Sequence, residues 1–423
     1  MTSHPHVIFL SYDGMTDPLG QSQVIPYLVG LTAYGYRFTI ISCEKVERFS
    51  LHREDVVRQL DGHEIEWHPL RYHKRPPVLS AVYDLVAMKR AMGKLYAKDP
   101  FQLVHARTGL PSIAALWMKK KYGTAFLNDI RGFWADERVD GEMWNLKNPV
   151  FKSTYRFFKR TERHSIQVAD YNNCLTQAAK TEILNWKDIP GQPRPISVIP
   201  CSVDLELFNP LAVDEDRTDA LRKEFKITKD QLVVSYLGSV GGWYMTNEMM
   251  RFNKLLAEKV PDAVFLFISP DRHEVILESA RAAGIKPDQV RVISARRKQV
   301  PAFLSLSAYS IFFIKPCYSK IASSPTKHAE IMAMGIPVIT NDGVGDVREI
   351  VEKNEGGYVL KDFSDDSFNQ IIAQIQSGAK FSPEKIRKAA IEIYSLESAV
   401  KTYAGVYQKI LRSRSHDDPQ NGL

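Results

Sequence analysis

The chain alternates short apolar runs with longer stretches of helical spacing, and it does so twice. In the first half the runs are Val7–Leu10, Phe38–Ile41, Glu64–Trp67, Leu103–His105 and Ala125–Leu127. Helical patterns lie between them, with Val24, Leu28 and Leu31 on one face, then Ser80 to Ala97 and Pro111 to Tyr122. Strands joined by connections of that length run parallel and are covered on both faces. The second half repeats the rhythm with Leu232–Leu237, Val264–Ile268, Val290–Ile293, Ile311–Ile314 and Val338–Thr340. The expectation is an α/β chain of two doubly wound domains, residues 1–200 and 201–395. A last helix, 396–423, packs back toward the N-terminal domain and ends in a frayed polar tail from Ser413. The pattern from Lys385 to Leu411 reads as continuously helical. Ligands of such sheets bind at the carboxyl ends of the strands. If the two domains face each other, their loops line one cleft.

Hydrophobic residues make up 44% and charged residues 25%, an ordinary globular composition that excludes a disordered, collagenous or coiled-coil chain. No apolar run approaches the roughly 18 residues of a membrane span, and Met1–His6 lacks the pattern of a secretion signal. Cys43, Cys174, Cys201 and Cys317 are scattered, which fits reduced thiols in a cytoplasmic protein. Residues 1–200 hold 27 Lys/Arg against 20 Asp/Glu, whereas the remainder holds 29 of each. The excess charge therefore belongs to the first half and suits an anionic partner or a plain basic surface. The sequence carries no recognisable nucleic-acid module, so nucleic acid is not an expected partner. Pro149 to His164 reads as a helix with Phe151, Tyr155 and Phe158 on one stripe. Lys152, Arg156, Lys159 and Arg163 form the next stripe, extended by Arg160 and opposed by Glu162. Such a helix can lie on an anionic membrane at its inner face, or bury its aromatics in the domain core.

The most informative chemistry lies between Ile311 and Thr340. Ser324 suits a helix cap, Pro325 its first position and Gly335 its end. The N-terminus of that helix offers backbone N–H groups to an anion, and Thr326 and Lys327 add a hydroxyl and a cation. Glu330 shares the face of Lys327 at i, i+3 and can accept both hydroxyls of a ribose. An ordinary capped helix with a Lys–Glu pair fits the same residues.

Glu330-Ile331-Met332-Ala333-Met334-Gly335-Ile336-Pro337-Val338 resembles the Glu-x-Met-Ala-x-Gly-x-Pro-Val signature of GT-B glycosyltransferases, family 4 in particular. Val198 to Pro210 is similar to that family's interdomain segment, and Val24 to Ile41, following Gly20, to its first loop, helix and second strand. The resemblance implies two facing Rossmann-like domains and a nucleotide-sugar donor held by the second. It also implies transfer with retention at the anomeric carbon, in polysaccharide or glycolipid synthesis. Glu330 matches the family's ribose-binding glutamate, and Ala322 stands where its other glutamate falls. Donor contacts implied in this way are Gly20, Gly238, Ser239, Ser323, Ser324, Thr326, Lys327 and Glu330. The phosphate-binding cation is Lys327, Lys315 or Arg296.

In the first half, His105 ends a strand as the family's His-x-His does, with Arg107 at the second position. His105 is a site histidine or a buried structural one. Asp129 to Arg138 packs mixed charge beside aromatics and reads as an acceptor-side loop or as a structural ion network. The catalytic candidates are His105, Asp129, Arg131 and Glu330. The acceptor-binding candidates are Arg107, Trp134, Asp136 and Glu137. Asp214-Glu215-Asp216 matches a metal-binding Asp-x-Asp by letter, but it precedes a helical stretch and suits a helix N-terminus. No metal or other cofactor is expected. The reading is a retaining, metal-independent glycosyltransferase acting on a glycan or lipid-linked acceptor. Double displacement by Asp129, Asp136 or Glu137 is its mechanistic alternative. A nucleotide-sugar 2-epimerase or a degenerate binding scaffold are the alternatives to transfer.

Overall fold

The computed structural model describes residues 4–76, 78–187, 189 and 195–416. Residues 1–3 and the last part of the polar tail, 417–423, lie outside the described residues. The chain divides into two compact units, residues 1–200 with 396–423, and residues 201–395.

The first unit carries seven parallel strands: β1 (His6–Ser11), β2 (Arg37–Glu44), β3 (Ile65–Arg71), β4 (Leu103–Arg107), β5 (Ala125–Ile130), β6 (Tyr171–Cys174) and β7 (Ile196–Val198). Their order is β3-β2-β1-β4-β5-β6-β7, in register His6 with Arg37 and Val7 with Leu103. Alternate residues of a strand point to opposite faces, and the core divides accordingly. Val7, Phe9, Leu103 and Leu127 face one layer, which the final helix Leu396–His416 closes with Ala399, Tyr403 and Tyr407. Ile8, Leu10, Val104 and Phe126 face the other, against Met88, Met92, Ala114 and Met118. The last helix is thus a wall of the first core. It also packs on the helix Ile25–Thr32, where a Cβ on Gly30 would lie 2.8 Å from Val400.

The second unit holds six parallel strands: β8 (Val233–Leu237), β9 (Val264–Ile268), β10 (Val290–Ile293), β11 (Tyr309–Ile311), β12 (Val338–Asn341) and β13 (Gly357–Leu360). Their order is β10-β9-β8-β11-β12-β13. Both sheets reverse their strand order beside the first strand, at β1/β4 and at β8/β11. Those are the topological switch points where doubly wound sheets bind ligands.

Three expectations shift. The apolar run Ile311–Ile314 leaves the ladder early, because Ile314 donates its N–H to the Asn341 side chain and bridges antiparallel to Tyr244. The C-terminal helical pattern is two helices, Pro383–Tyr394 and Leu396–His416, broken at Ser395. There the chain is drawn beside Val203, whose N–H donates to the Tyr394 carbonyl. Gly20 belongs to a short helix, Pro18–Gln23, where a Cβ would lie 2.3 Å from the Gly14 carbonyl oxygen. Its role there is close packing of the turn that follows β1.

Candidate donor site and first-unit charge networks

The segment Gly238–Tyr244 leaves β8 at the switch point of the second sheet. Gly238 takes φ +120°, and a Cβ there would lie 2.8 Å from the Lys327 ammonium, so only glycine fits above that lysine. Lys327 is 7% exposed. Its Nζ donates to the Tyr236 hydroxyl at 3.1 Å and stands 3.6 Å from the Tyr244 ring centroid and 4.4 Å from that of Tyr236. Tyr236 in turn donates to the Ser239 carbonyl. Burial lowers the Lys327 ammonium to about 7, against the pull of Glu330. The cation is held by ring faces and one hydroxyl, which compensate a buried charge less fully than a carboxylate in contact would.

Glu330 lies on the same helix, also 7% exposed, and burial raises its pKa while Arg297 and Lys327 oppose. Its Oε1 accepts from Arg297 Nη1 at 2.7 Å. Sequence reasoning named the neighbouring Arg296, which is exposed. Lys315 is exposed as well, although its backbone N–H donates to the Trp243 carbonyl at the end of the same loop. Of the three cations proposed, Lys327 is the one seated against Gly238.

The helix itself runs Thr326–Ala333 with Pro325 as its N-cap residue, and no side chain caps it. Ser324 is therefore not the cap. Its hydroxyl accepts from the Cys201 N–H at 3.2 Å and ties the entry of the helix to the start of the second unit. At the far end Gly335, at φ +72°, closes a Schellman turn with Ile336 N–H donating to the Ile331 carbonyl. Ala322 is fully buried at the end of the turn Tyr318–Ala322, with Ser323 next to it. In the glycine loop, the N–H groups of Val240 and Gly241 already donate to Asp271 and Thr246 side chains.

In the first unit, burial governs the candidates. His105 is 2% and Asp129 3% exposed. His105 Nδ1 pairs with the Tyr407 hydroxyl at 2.7 Å, and its Nε2 faces Asp129 at 3.4 Å. Tyr403 donates to Asp129 at 3.2 Å, and Arg131 reaches Tyr403 at 3.5 Å. Burial pushes the Asp129 carboxyl up, but Arg131, His105 and Arg107 outweigh it and hold it low; burial lowers His105. These five groups lock the final helix onto the first sheet, which is the structural reading of His105. Arg107 is buried beside them.

The stretch after Asp129 is not a loop throughout. A helix, Trp134–Asp140, begins four residues past β5, with Asp136 and Glu137 in its first turn. Asp136 is buried, accepting from Lys159 at 2.7 Å and from the Tyr155 hydroxyl at 2.8 Å, so it is taken up inside the unit rather than offered to an acceptor. Lys159 also pairs with Glu162 at 2.5 Å and lies over the Trp186 ring. The basic stripe of the Pro149–Val168 helix thus loses Lys159 to the interior, while Lys152, Arg156 and Arg160 are exposed. Trp134 lies under the Arg138 guanidinium, 3.2 Å from its ring centroid, and Glu137 is half-buried beside Gly132. Asp214 caps the helix Glu215–Phe225, accepting from the Asp216 N–H at 3.0 Å.

The family described as glycosyl transferases group 1 matches residues 217–392, and Glycosyltransferase Family 4 matches residues 26–207. No curated protein sequence matches the chain. Among solved structures, sucrose-phosphate synthase from Thermosynechococcus elongatus is 14% identical, with 97% of this chain and 100% of that one covered and a TM-score of 0.71. WaaG, a glycosyltransferase of lipopolysaccharide biosynthesis, is 15% identical, with coverage of 95% and 99% and a TM-score of 0.68. HepE from Anabaena, solved with UDP-glucose, is 12% identical, with coverage of 96% and 100% and a TM-score of 0.66. Two parallel-sheet units of seven and six strands, each matched by its own family, are accounted for together: the chain belongs to the GT-B glycosyltransferases, pairing a family 4 N-terminal region with a group 1 C-terminal region.

Proposed function

We propose that the chain transfers a sugar, with retention and without a metal ion, from a nucleoside diphosphate sugar to a glycan or lipid-linked acceptor. The observation that carries this reading is the Lys327 ammonium seated beneath Gly238 at the switch point of the second sheet. A diphosphate placed over Gly238 meets a cation that burial has left under-compensated, together with the N-terminus of Thr326–Ala333. Ser323, Ser324 and Thr326 border that end, and Glu330, oriented by Arg297, accepts from the ribose. The structure of HepE with UDP-glucose supports this donor class. As the bond from the anomeric carbon to the phosphate oxygen breaks, its electron pair stays on the phosphate, where Lys327 stabilises it. The acceptor hydroxyl attacks from the same face and gives its proton to a phosphate oxygen, so no protein nucleophile is required. Asp129 and Asp136, enclosed in the networks described above, are poorly placed for double displacement.

A thermal-shift panel of UDP, GDP, dTDP and CMP sugars tests the donor class. A ligand at a hundred times its dissociation constant stabilises the protein by about 2.7 kcal/mol. Product analysis with the donor so identified then separates transfer from 2-epimerisation. A panel in which no nucleotide sugar raises the melting temperature contradicts the proposal.

A further inference from the structure

A groove of about 520 Å³ opens in the first unit, apart from the Lys327 site. Its inner end lies at the carboxyl ends of the strands, with Tyr12 just past β1, Tyr72 just past β3 and Arg138. From there it runs outward between the helices Leu79–Lys98, Leu110–Tyr122 and Pro149–Val168. Several polar groups on its wall are already bonded within the chain. Asp84, 1% exposed, accepts from the Tyr12 hydroxyl at 3.0 Å and pairs with His73 Nδ1 at 2.6 Å. The middle is aromatic: Trp134, Trp144 and Phe158 lie within ring contact of one another, at 4.6 to 5.9 Å between centroids.

The two ends differ. At the inner end sits the Arg138 guanidinium, half-buried over Trp134, with Glu137 and Asp13 as its carboxylate neighbours. At the outer end apolar side chains stand in solvent. Phe157 is 54% and Val82 52% exposed, and Val78, which also lines the groove, is exposed too. Lys74 lines the groove, and Arg156 and Arg160 share an adjoining hollow with Phe157; all three are exposed. Apolar side chains in water beside exposed cations suit the place where a hydrocarbon chain leaves the groove toward an anionic surface, and the Arg138 guanidinium is the cation that a negative headgroup meets at the inner end.

We propose that this groove binds the hydrocarbon chain of an anionic lipid-type acceptor, with the chain against Trp134, Trp144 and Phe158 and the headgroup directed toward Arg138. The assignment of that headgroup as the acceptor rests on the transferase reading; the hydrocarbon site does not. Chain and headgroup are then aligned by the groove, which delivers the polar end to the strand ends where the first sheet reverses its order.

Decyl phosphate below its micelle concentration is the probe, titrated against the full chain and followed by tryptophan fluorescence. Decanol and inorganic phosphate are the comparison arms. The expected result is saturable binding of decyl phosphate, about tenfold weaker binding of decanol, and none of phosphate. Ala81 lines the groove without belonging to the donor site, so Ala81→Phe should weaken decyl phosphate at least tenfold while the nucleotide-sugar thermal shift is unchanged. Thr154→Phe fills the same groove from the opposite helix and serves if Ala81→Phe misfolds. Wild-type chain that fails to bind decyl phosphate, or both folded variants binding it as wild type does, overturns the proposal. Competition by inorganic phosphate alone would mark an anion site and overturn it too. Loss of the nucleotide-sugar shift with decyl phosphate binding retained would strike the donor reading and leave this one standing.

Discussion

Both units bury charge beneath a parallel sheet's carboxyl edge, and they treat it differently. In the first, the buried carboxylates of the candidate stretch meet cations: Asp129 has Arg131 and His105, and Asp136 has Lys159. In the second, Lys327 meets two tyrosines while Glu330 spends its hydrogen bond on Arg297. The closed networks join elements distant in sequence, such as β4 and β5 to the last helix. The open one lowers the Lys327 ammonium to about 7 and surrounds it with two rings and one hydroxyl in place of a contacting carboxylate. Buried charge in the first unit serves architecture, and in the second, on the function proposed above, it serves a ligand.

The sharpest way to break that contrast is to remove one member of each kind. Lys159→Met strands Asp136 and Glu162 in the interior, and removing one partner of a buried pair typically costs about 3–5 kcal/mol. Chemical denaturation should show a loss of that size, with donor affinity per folded molecule unchanged. Glu330→Ala removes a charge-assisted contact worth about 1.5–3 kcal/mol, so kcat/KM should fall about ten- to a hundredfold with the fold intact. Activity equal to wild type in a folded Glu330→Ala enzyme removes Glu330 from the site. The smallest effect belongs to the surface. If the first unit meets an anionic membrane, each cation near it contributes about 1 kcal/mol. Arg156→Gln should then reduce flotation with anionic vesicles about fivefold at low salt and change nothing with neutral ones.

Much of this was legible in the sequence. The two sheets follow from the alternation of apolar runs and helices, and Lys327 and Glu330 from their spacing on one helix. Strands β6 and β13 escaped notice, since Asn172 and Asn173 interrupt the first and Gly356-Gly357 opens the second with little apolar signal. Arg297 is far from Glu330 in sequence, so only the fold brings them together. The tyrosines that hold Lys327 did leave a signal, one just before Gly238 and one just after Gly242, but a ring in a strand reads as core. Lys159 was misplaced because a basic stripe reads as a solvated face. Glu162 at i+3 was the hint that the stripe turned inward.

The central claim is that the Lys327 ammonium is the donor's phosphate partner, and titrating the donor against pH tests it most directly. The ordinary lysine value is 10.5 and the folded value about 7. Between them the unfolded chain holds a proton that the folded chain lacks, so this residue makes stability rise with pH across that window. A bound diphosphate favours the charged form and reverses the preference. Calorimetric affinity for the nucleotide sugar should therefore be highest below about pH 7 and weaken as pH rises through it. Lys327→Met should lose at least tenfold in affinity at pH 6.5, flatten the pH profile and leave the ligand-free protein no less stable. A wild-type profile without that slope, matched by undiminished binding in Lys327→Met, would contradict the account.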